Sequence, residues 1–333
     1  MPERSADVQG PISDAGNGVG GGSSADLAGT GTIAGGVDLG RGGGSMSCVD
    51  GGGCMTANPG ACASGHLVCS GPAATCVPDV TTQRCYSGPA ATVGVGVCKA
   101  GAQTCVGTLG SCAGEVKPAA IENCFNDLDD DCDGKVNNGC PDHLVTGTPV
   151  KLPAQGNTSG GNPFSLRCPA NSYVTKVVVY GDNGDRFIGG IDISCATPTL
   201  VRGASTYSVT PTPVTANPSS VHANHITTSA SSPFDCGTTA FHPGYYVPGD
   251  AYGSGVDGLG MACGIGTLSL SASNQLTIAF SKDLDNGFYG YDNTTQFEDD
   301  CGAGTVLVGF DGRDGDWFDD IQPVCAPLQV VYK

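Results

Sequence analysis

Asp129, Asp131 and Asp133 stand at alternating positions, and Gly134 follows them. This is the spacing of the front half of a calcium loop. Carboxylates at positions 1, 3 and 5 converge on one cation, glycine at position 6 permits the sharp turn, and the next backbone carbonyl adds an oxygen. Lys135 would supply that carbonyl, with Asp127 and Asn137 completing the shell. Hard oxygen ligands of this kind favour Ca2+ over zinc or copper. The bidentate Glu expected at position 12 is missing, since Cys140 stands there. Without a cation the same run reads as a solvated acidic turn whose like charges repel.

A second set of residues suits sugar hydroxyls. In Gly315-Asp316-Trp317-Phe318-Asp319 the Asp319 carboxylate is placed to accept from two hydroxyls. The N–H groups of Asp316 and Trp317 are candidate donors. Trp317, the one tryptophan of the chain, offers a face for stacking on a sugar ring. Gly followed by Asp is also ordinary turn chemistry. Two related stretches, Gly253–Asp257 and Gly184–Phe187, lack the platform; the latter has Ile188 where an Asp would be needed. His222-Ala223-Asn224-His225 lies in Ser/Thr-rich surroundings and reads as a surface loop. No Ser-His-Asp or Cys-His set can be placed. The acidic residues 311–320 lack the shielding that raises a catalytic acid. The chain is therefore read as a binding protein, not an enzyme.

These residues need a frame, and eighteen cysteines supply it. No CxxC pair occurs, which argues against zinc and for disulfides formed outside a reducing cytosol. The chain starts without a basic and apolar signal segment. The expected localisation is still extracellular or at the outer cell surface, with the signal removed or upstream of this start. Cys62, Cys69 and Cys76 are spaced by six intervening residues, as are Cys98, Cys105 and Cys112. This predicts two tandem disulfide-stapled units. The last six cysteines fall into three pairs of similar spacing: Cys168 with Cys195, Cys236 with Cys263, Cys301 with Cys325. A phenylalanine precedes each first member and a Gly/Asp-rich turn precedes each second. The pattern predicts three hairpin-like units, each closed by its own disulfide, around one shared core.

The chain accordingly divides into residues 1–47, a disordered Gly/Ser-rich leader, residues 48–140, a disulfide-rich repeat region ending in the calcium loop, and residues 141–333, an all-β domain. Alternating strands such as 173–180, 267–271 and 305–310 mark the last region. With 32 acidic against 14 basic residues, a net charge of −18 opposes nucleic acid. No apolar run reaches the length of a membrane span.

Residues 308–319, Val308-Gly309-Phe310-Asp311-Gly312-Arg313-Asp314-Gly315-Asp316-Trp317-Phe318-Asp319, resemble the glycine-rich strand and Gly-x-x-x-Asp sugar loop of jacalin-type lectins. Gly160-Gly161-Asn162-Pro163-Phe164 resembles their opening glycine loop. The threefold cysteine pattern is similar to that of the vitelline-membrane outer-layer proteins. The resemblance implies a β-prism of three Greek-key-like sheets with pseudo-threefold symmetry, and a glycan or surface polymer as partner at Gly161, Gly315, Asp316, Trp317 and Asp319. Arg84–Pro89, Glu122-Asn123-Cys124 and Asp129–Val136 resemble the Cys-rich metal-binding repeats of secreted bacterial proteins, and the acidic loop is similar to thrombospondin type 3 repeats. Self-assembly as a fibre or coat subunit is the alternative function.

Overall fold

The computed structural model describes residues 48–333 apart from 72, 183–186, 215–218, 232, 254, 283–286 and 291–294. The leader, most of the Gly184–Phe187 turn and Ser254 of the Gly253–Asp257 stretch lie outside the described residues. No α-helix occurs among the described residues. Two compact units are present: residues 48–84 with 102–111, and residues 85–101 with 112–333. The division falls inside the cysteine-rich region and not at residue 140.

The first unit is built on an antiparallel sheet of β1 (Gly53–Met55), β2 (Ser64–Ser70) and β3 (Ala73–Pro78) in that order. A two-stranded ladder follows, β4 (Thr82–Cys85) with β5 (Gly101–Thr104), each strand crossing a unit boundary by one residue. Sulfur takes the place of a core here. Cys62 and Cys105 are fully buried and bonded to each other, while Met55, Val68, Val77 and Val106 are exposed. Cys48–Cys69 and Cys54–Cys76 complete the set. Units with so few large apolar residues rely on such cross-links. Because Cys62 reaches Cys105, the two cysteine trios interlock; they are not closed one after the other.

The second unit carries Cys85–Cys112, Cys98–Cys132 and Cys124–Cys140 before its strands begin. Four strands come first: β6 (Pro141–Thr146), β7 (Val150–Lys151), β8 (Gln155–Gly156) and β9 (Asn162–Arg167). Sheet I follows, formed by β10 (Tyr173–Asp182), β11 (Ile188–Arg202), β12 (Tyr207–Pro213), β13 (Ser219–His222), β14 (Ile226–Ala230) and β15 (Phe234–Asp235). Sheet II comprises β16 (Gly244–Tyr252), β17 (Gly255–Leu259), β18 (Ala262–Leu270), β19 (Leu276–Lys282), β20 (Tyr289–Gly290) and β21 (Gln296–Asp300). Finally β22 (Thr305–Asp314) and β23 (Phe318–Tyr332) pair with β6–β9 as sheet III.

Each sheet is a Greek key. In sheet I the order β14-β10-β11-β12 places the fourth strand beside the first. Sheet II repeats this with β21, β16, β18 and β19, and sheet III with β9, β22, β23 and β6. Sheet III alone takes strands from both ends of the domain. All three sheets turn apolar residues to one core: Val177, Val179, Ile191 and Ile193 from sheet I, Val247, Val256 and Leu259 from sheet II, Leu307, Phe310, Phe318 and Ile321 from sheet III. Burying each such side chain contributes roughly 1.5–3 kcal/mol. The fold is all-β with the β-prism architecture.

Cys168 is bonded to Cys195, Cys236 to Cys263 and Cys301 to Cys325. These bonds do not close single sheets. Cys168 follows β9 of sheet III and meets β11 of sheet I; Cys236 follows β15 of sheet I and meets β18 of sheet II; Cys301 follows β21 of sheet II and meets β23 of sheet III. The returning strand of each Greek key ends at the seam with the next sheet, so the cysteine after it faces a neighbour. The result is a ring of three seam bonds.

Candidate functional site

Phe187, Gly255 and Trp317, one from each sheet's long hairpin, meet at one end of the prism. Trp317, between β22 and β23, stacks on Phe187 of sheet I at 4.8 Å and 20°. A Cβ on Gly255 of sheet II would lie 2.9 Å from the Trp317 ring and 3.0 Å from Phe187. One indole face is thus covered by Phe187, and Trp317 helps to close the prism end. Asn224 N donates to Gly315 O at 3.0 Å and His225 N to Asp316 O at 3.0 Å. The His222–His225 segment therefore braces the 315–316 turn.

Beside that turn the glycine loop before β9 comes against Asp319. A Cβ at Gly160 would stand 2.2 Å from Asp319 Oδ1, and one at Gly161 would stand 2.3 Å from Asp319 Oδ2 and 2.3 Å from Asp314 O. Gly161 also has φ +49°, where an L side chain is strained. Only glycines let the backbone approach the carboxylate so closely. Arg313 holds the loop in place, donating from Nε to Gly160 O and from Nη2 to Gly161 O, the latter at 2.9 Å. Gly315 N donates to Trp317 O at 2.9 Å and tightens the turn. The structure brings Gly161, Gly315 and Asp319 together, with Asp316 half-exposed at the rim. Burial pushes the Asp319 carboxyl above 3.8; Arg313 opposes this and the Asp314 and Asp316 charges reinforce it. Burial likewise raises Asp314 and Asp320, so carboxyls of the 311–320 stretch are shielded where the sequence predicts no shielding, because the sheet III strands and the glycine loop pack against them. Gly160 and Arg313 are the residues that spacing did not single out, because the Arg313 guanidinium reaches the Gly160 carbonyl across a sequence separation of 153.

The acidic loop is organised around a residue outside its run. Glu122, buried, brings a carboxylate oxygen within 4.8 Å of ligand atoms from Asp129 and Asp131. Glu122 Oε1 accepts from Asp130 N and Asp131 N, each at 3.1 Å, and Oε2 accepts from Asn137 N at 3.0 Å. Asp129 accepts from Asp133 N at 3.2 Å and Gly134 N at 3.0 Å. Gly134 has φ +92°, as the sharp turn demands. Asn137 is 2% exposed, and its Oδ1 accepts no hydrogen bond. Gly96 roofs the loop: a Cβ there would lie 2.2 Å from Asp129 O.

Asp127 and Asp133 stand apart from this group. Asp127 meets Arg202 Nη2 of β11 at 2.5 Å with its side chain 80% exposed. That hydrogen bond and the guanidinium charge hold its carboxyl below 3.8. Asp133 is exposed, accepting from Lys135 N at 2.8 Å and Asn138 Nδ2 at 2.9 Å. Lys135 is exposed as well. Arg202 also donates to Asn126 O at 2.9 Å, and Asn274 Nδ2 donates to Glu122 O at 2.9 Å, so the prism seats the loop. Glu122 lies seven residues before Asp129, and no local spacing marks it.

No family model matches the chain, and no curated protein matches it. Jacalin-related lectins are structural neighbours over about half of its length. The agglutinin of Calystegia sepium is 20% identical, with 56% of this chain and 99% of that chain covered and a TM-score of 0.32. AcmJRL, a mannose-binding jacalin-related lectin from Ananas comosus, is 14% identical over 54% of this chain and 98% of that chain, with a TM-score of 0.31. Frutalin from Artocarpus incisa is 14% identical over 54% and 96%, with a TM-score of 0.29.

Proposed function

We propose that the second unit is a carbohydrate-recognition domain that grips its ligand at the Gly160–Gly161 loop and the Gly315–Asp319 turn. The observation that carries this reading is the Asp319 carboxylate set against two glycine α-carbons. A fixed, charged acceptor beside open backbone matches a pair of sugar hydroxyls, since charge-assisted hydrogen bonds are the stronger ones. Asp316 at the rim adds a second carboxylate. The nine disulfides, with no cysteine left free, support an exported protein at or beyond the cell surface. The test is a glycan array with the full chain and Asp319→Asn. Losing the charge should weaken binding about 10- to 100-fold, the worth of one charged hydrogen-bond set. No array signal, or binding untouched by the substitution, would refute the reading.

The same protein is proposed to hold Ca2+ at Glu122, Asp129 and Asp131. The donor set fits a hard cation: three carboxylates lie in reach of one another, and Asn137, whose buried Oδ1 has no partner, binds Glu122 through its backbone N–H. Glu122 takes the place of the missing position-12 glutamate. The ion would neutralise the cluster and stiffen the loop. Calorimetric titration of the full chain should show uptake at or below the millimolar range, abolished in Glu122→Gln. Heat signals absent up to millimolar Ca2+ would remove the proposal.

A further inference from the structure

A cleft lies on the outer face of sheet III, and Arg313 borders both it and the Asp319 site. Register puts two rows across this face: Ser165 beside Asp311 beside Gln322, all polar, and Pro163 beside Arg313 beside Asp320. With Lys151 of β7 at its edge this shallow, open cleft spans about 600 Å³. Ligand pockets of ~300–1,000 Å³ take drug-sized molecules, roughly two or three sugar rings. One ring at Asp319 would leave this space unused. Arg313 joins the two regions, because its guanidinium holds the Gly160–Gly161 loop while its side chain lines the cleft.

The lining fixes the chemical class. Lys151 and Arg313 are matched by Asp311 and Asp320, so the cleft has no excess of either sign. Lys151 Nζ sits 2.7 Å from Asp311 Oδ2, and Arg167 Nη2 is 2.5 Å from Oδ1. An anionic ligand would have to displace Asp311 from its cations. Gln322 Nε2 donates to Leu152 O at 2.7 Å, which orients the amide. Ser165 and Thr158 contribute hydroxyls and Pro163 a short apolar patch, while the Phe164 ring turns inward against Phe318. Donors, acceptors and short apolar patches interleaved without net charge suit a neutral polyhydroxylated chain.

We propose that the ligand is a neutral linear oligosaccharide of at least two rings, one at Asp319 and the rest along the Ser165–Asp311–Gln322 face. This rests on the carbohydrate reading above. The experiment is calorimetry on the full chain with methyl α-mannoside, with linear manno- and gluco-oligosaccharides of two to four rings, and with an oligogalacturonate as the charged counterpart. Affinity should rise roughly tenfold from one ring to four, the worth of one or two added hydrogen bonds. Ser165→Tyr, which fills the cleft from an exposed position, should erase that gain and leave the single-ring affinity within about twofold. Gln322→Ala, which adds no bulk, should erase part of it, and Trp317 fluorescence melts establish that both variants fold. Affinity that stays flat with length, a gain that survives both substitutions, or tighter binding of the oligogalacturonate would overturn the inference while Asp319-dependent monosaccharide binding still stood. Absence of binding by a sugar of any length would remove the carbohydrate reading and this inference with it.

Discussion

Replacing Cys236 and Cys263 together by alanine opens one of the three prism seams. The bond closes a loop with a sequence separation of 27, and those of Cys168–Cys195 and Cys301–Cys325 are 27 and 24. None of these loops overlaps another, so each bond restrains its own stretch of the denatured chain. Chain entropy assigns about 3.5 kcal/mol to a loop of this length. Cys263 is 2% exposed and Cys236 is 9% exposed, so the missing sulfur packing adds ~1 kcal/mol. The expected loss is thus about 4–5 kcal/mol, and the other two seams should give nearly the same value. Urea unfolding followed by Trp317 fluorescence measures it, because this sole tryptophan stacks on Phe187 at the prism end and is silent about the first unit. Amide exchange should show the weakened region at the contact of β15 with β18. A loss below ~1 kcal/mol, or three seams of widely different cost, would refute the idea that the ring of bonds restrains the unfolded chain. Non-reducing peptide mapping that failed to recover the pair would refute the ring itself.

Acidification should weaken sugar binding at a pH above the 3.8 of an ordinary aspartate, because burial raises Asp319 and its neutral form is the poorer acceptor. The same shift has the opposite sign for folding: protonating a carboxyl whose folded pKa is raised favours the folded state, so binding is lost while the prism stays intact. A binding curve that falls in parallel with a fluorescence-monitored unfolding curve would contradict this. Gly161→Ala should cost about 1–2 kcal/mol for the left-handed backbone alone, with more for the collision at Asp319 Oδ2 and Asp314 O. It should abolish glycan binding, and a thermal melt with an array readout checks both effects.

Much of this protein could be read along the chain. The spacing of Cys168, Cys195, Cys236, Cys263, Cys301 and Cys325 announces a threefold repeat because equal modules place equal landmarks at equal intervals. The strand 173–180 shows Val177 and Val179 on the buried side with Lys176, Val178 and Tyr180 less so, as a half-buried strand must. The Asp129–Gly134 turn and the Gly315–Asp319 turn are local, and local backbone chemistry is written in adjacent residues.

Partners distant in sequence are not written there. Identical six-residue gaps gave no hint that Cys62 bonds Cys105 while Cys98 bonds Cys132, since spacing fixes where a thiol lies but not what folds against it. Glu122, Gly160 and Arg313 gain their roles from neighbours brought in by the Greek-key return strands and the seating of the loop on β11. The three prism pairs could be read from their spacing, but that each bond joins two sheets could not. Composition and periodicity determined that this chain would be an oxidised, three-part β-protein. The lectin resemblance put Gly161 and Asp319 in one site, but only the closing of sheet III by strands from both ends supplied the contact between them, because long-range pairing is set by the shared core and not by any one segment.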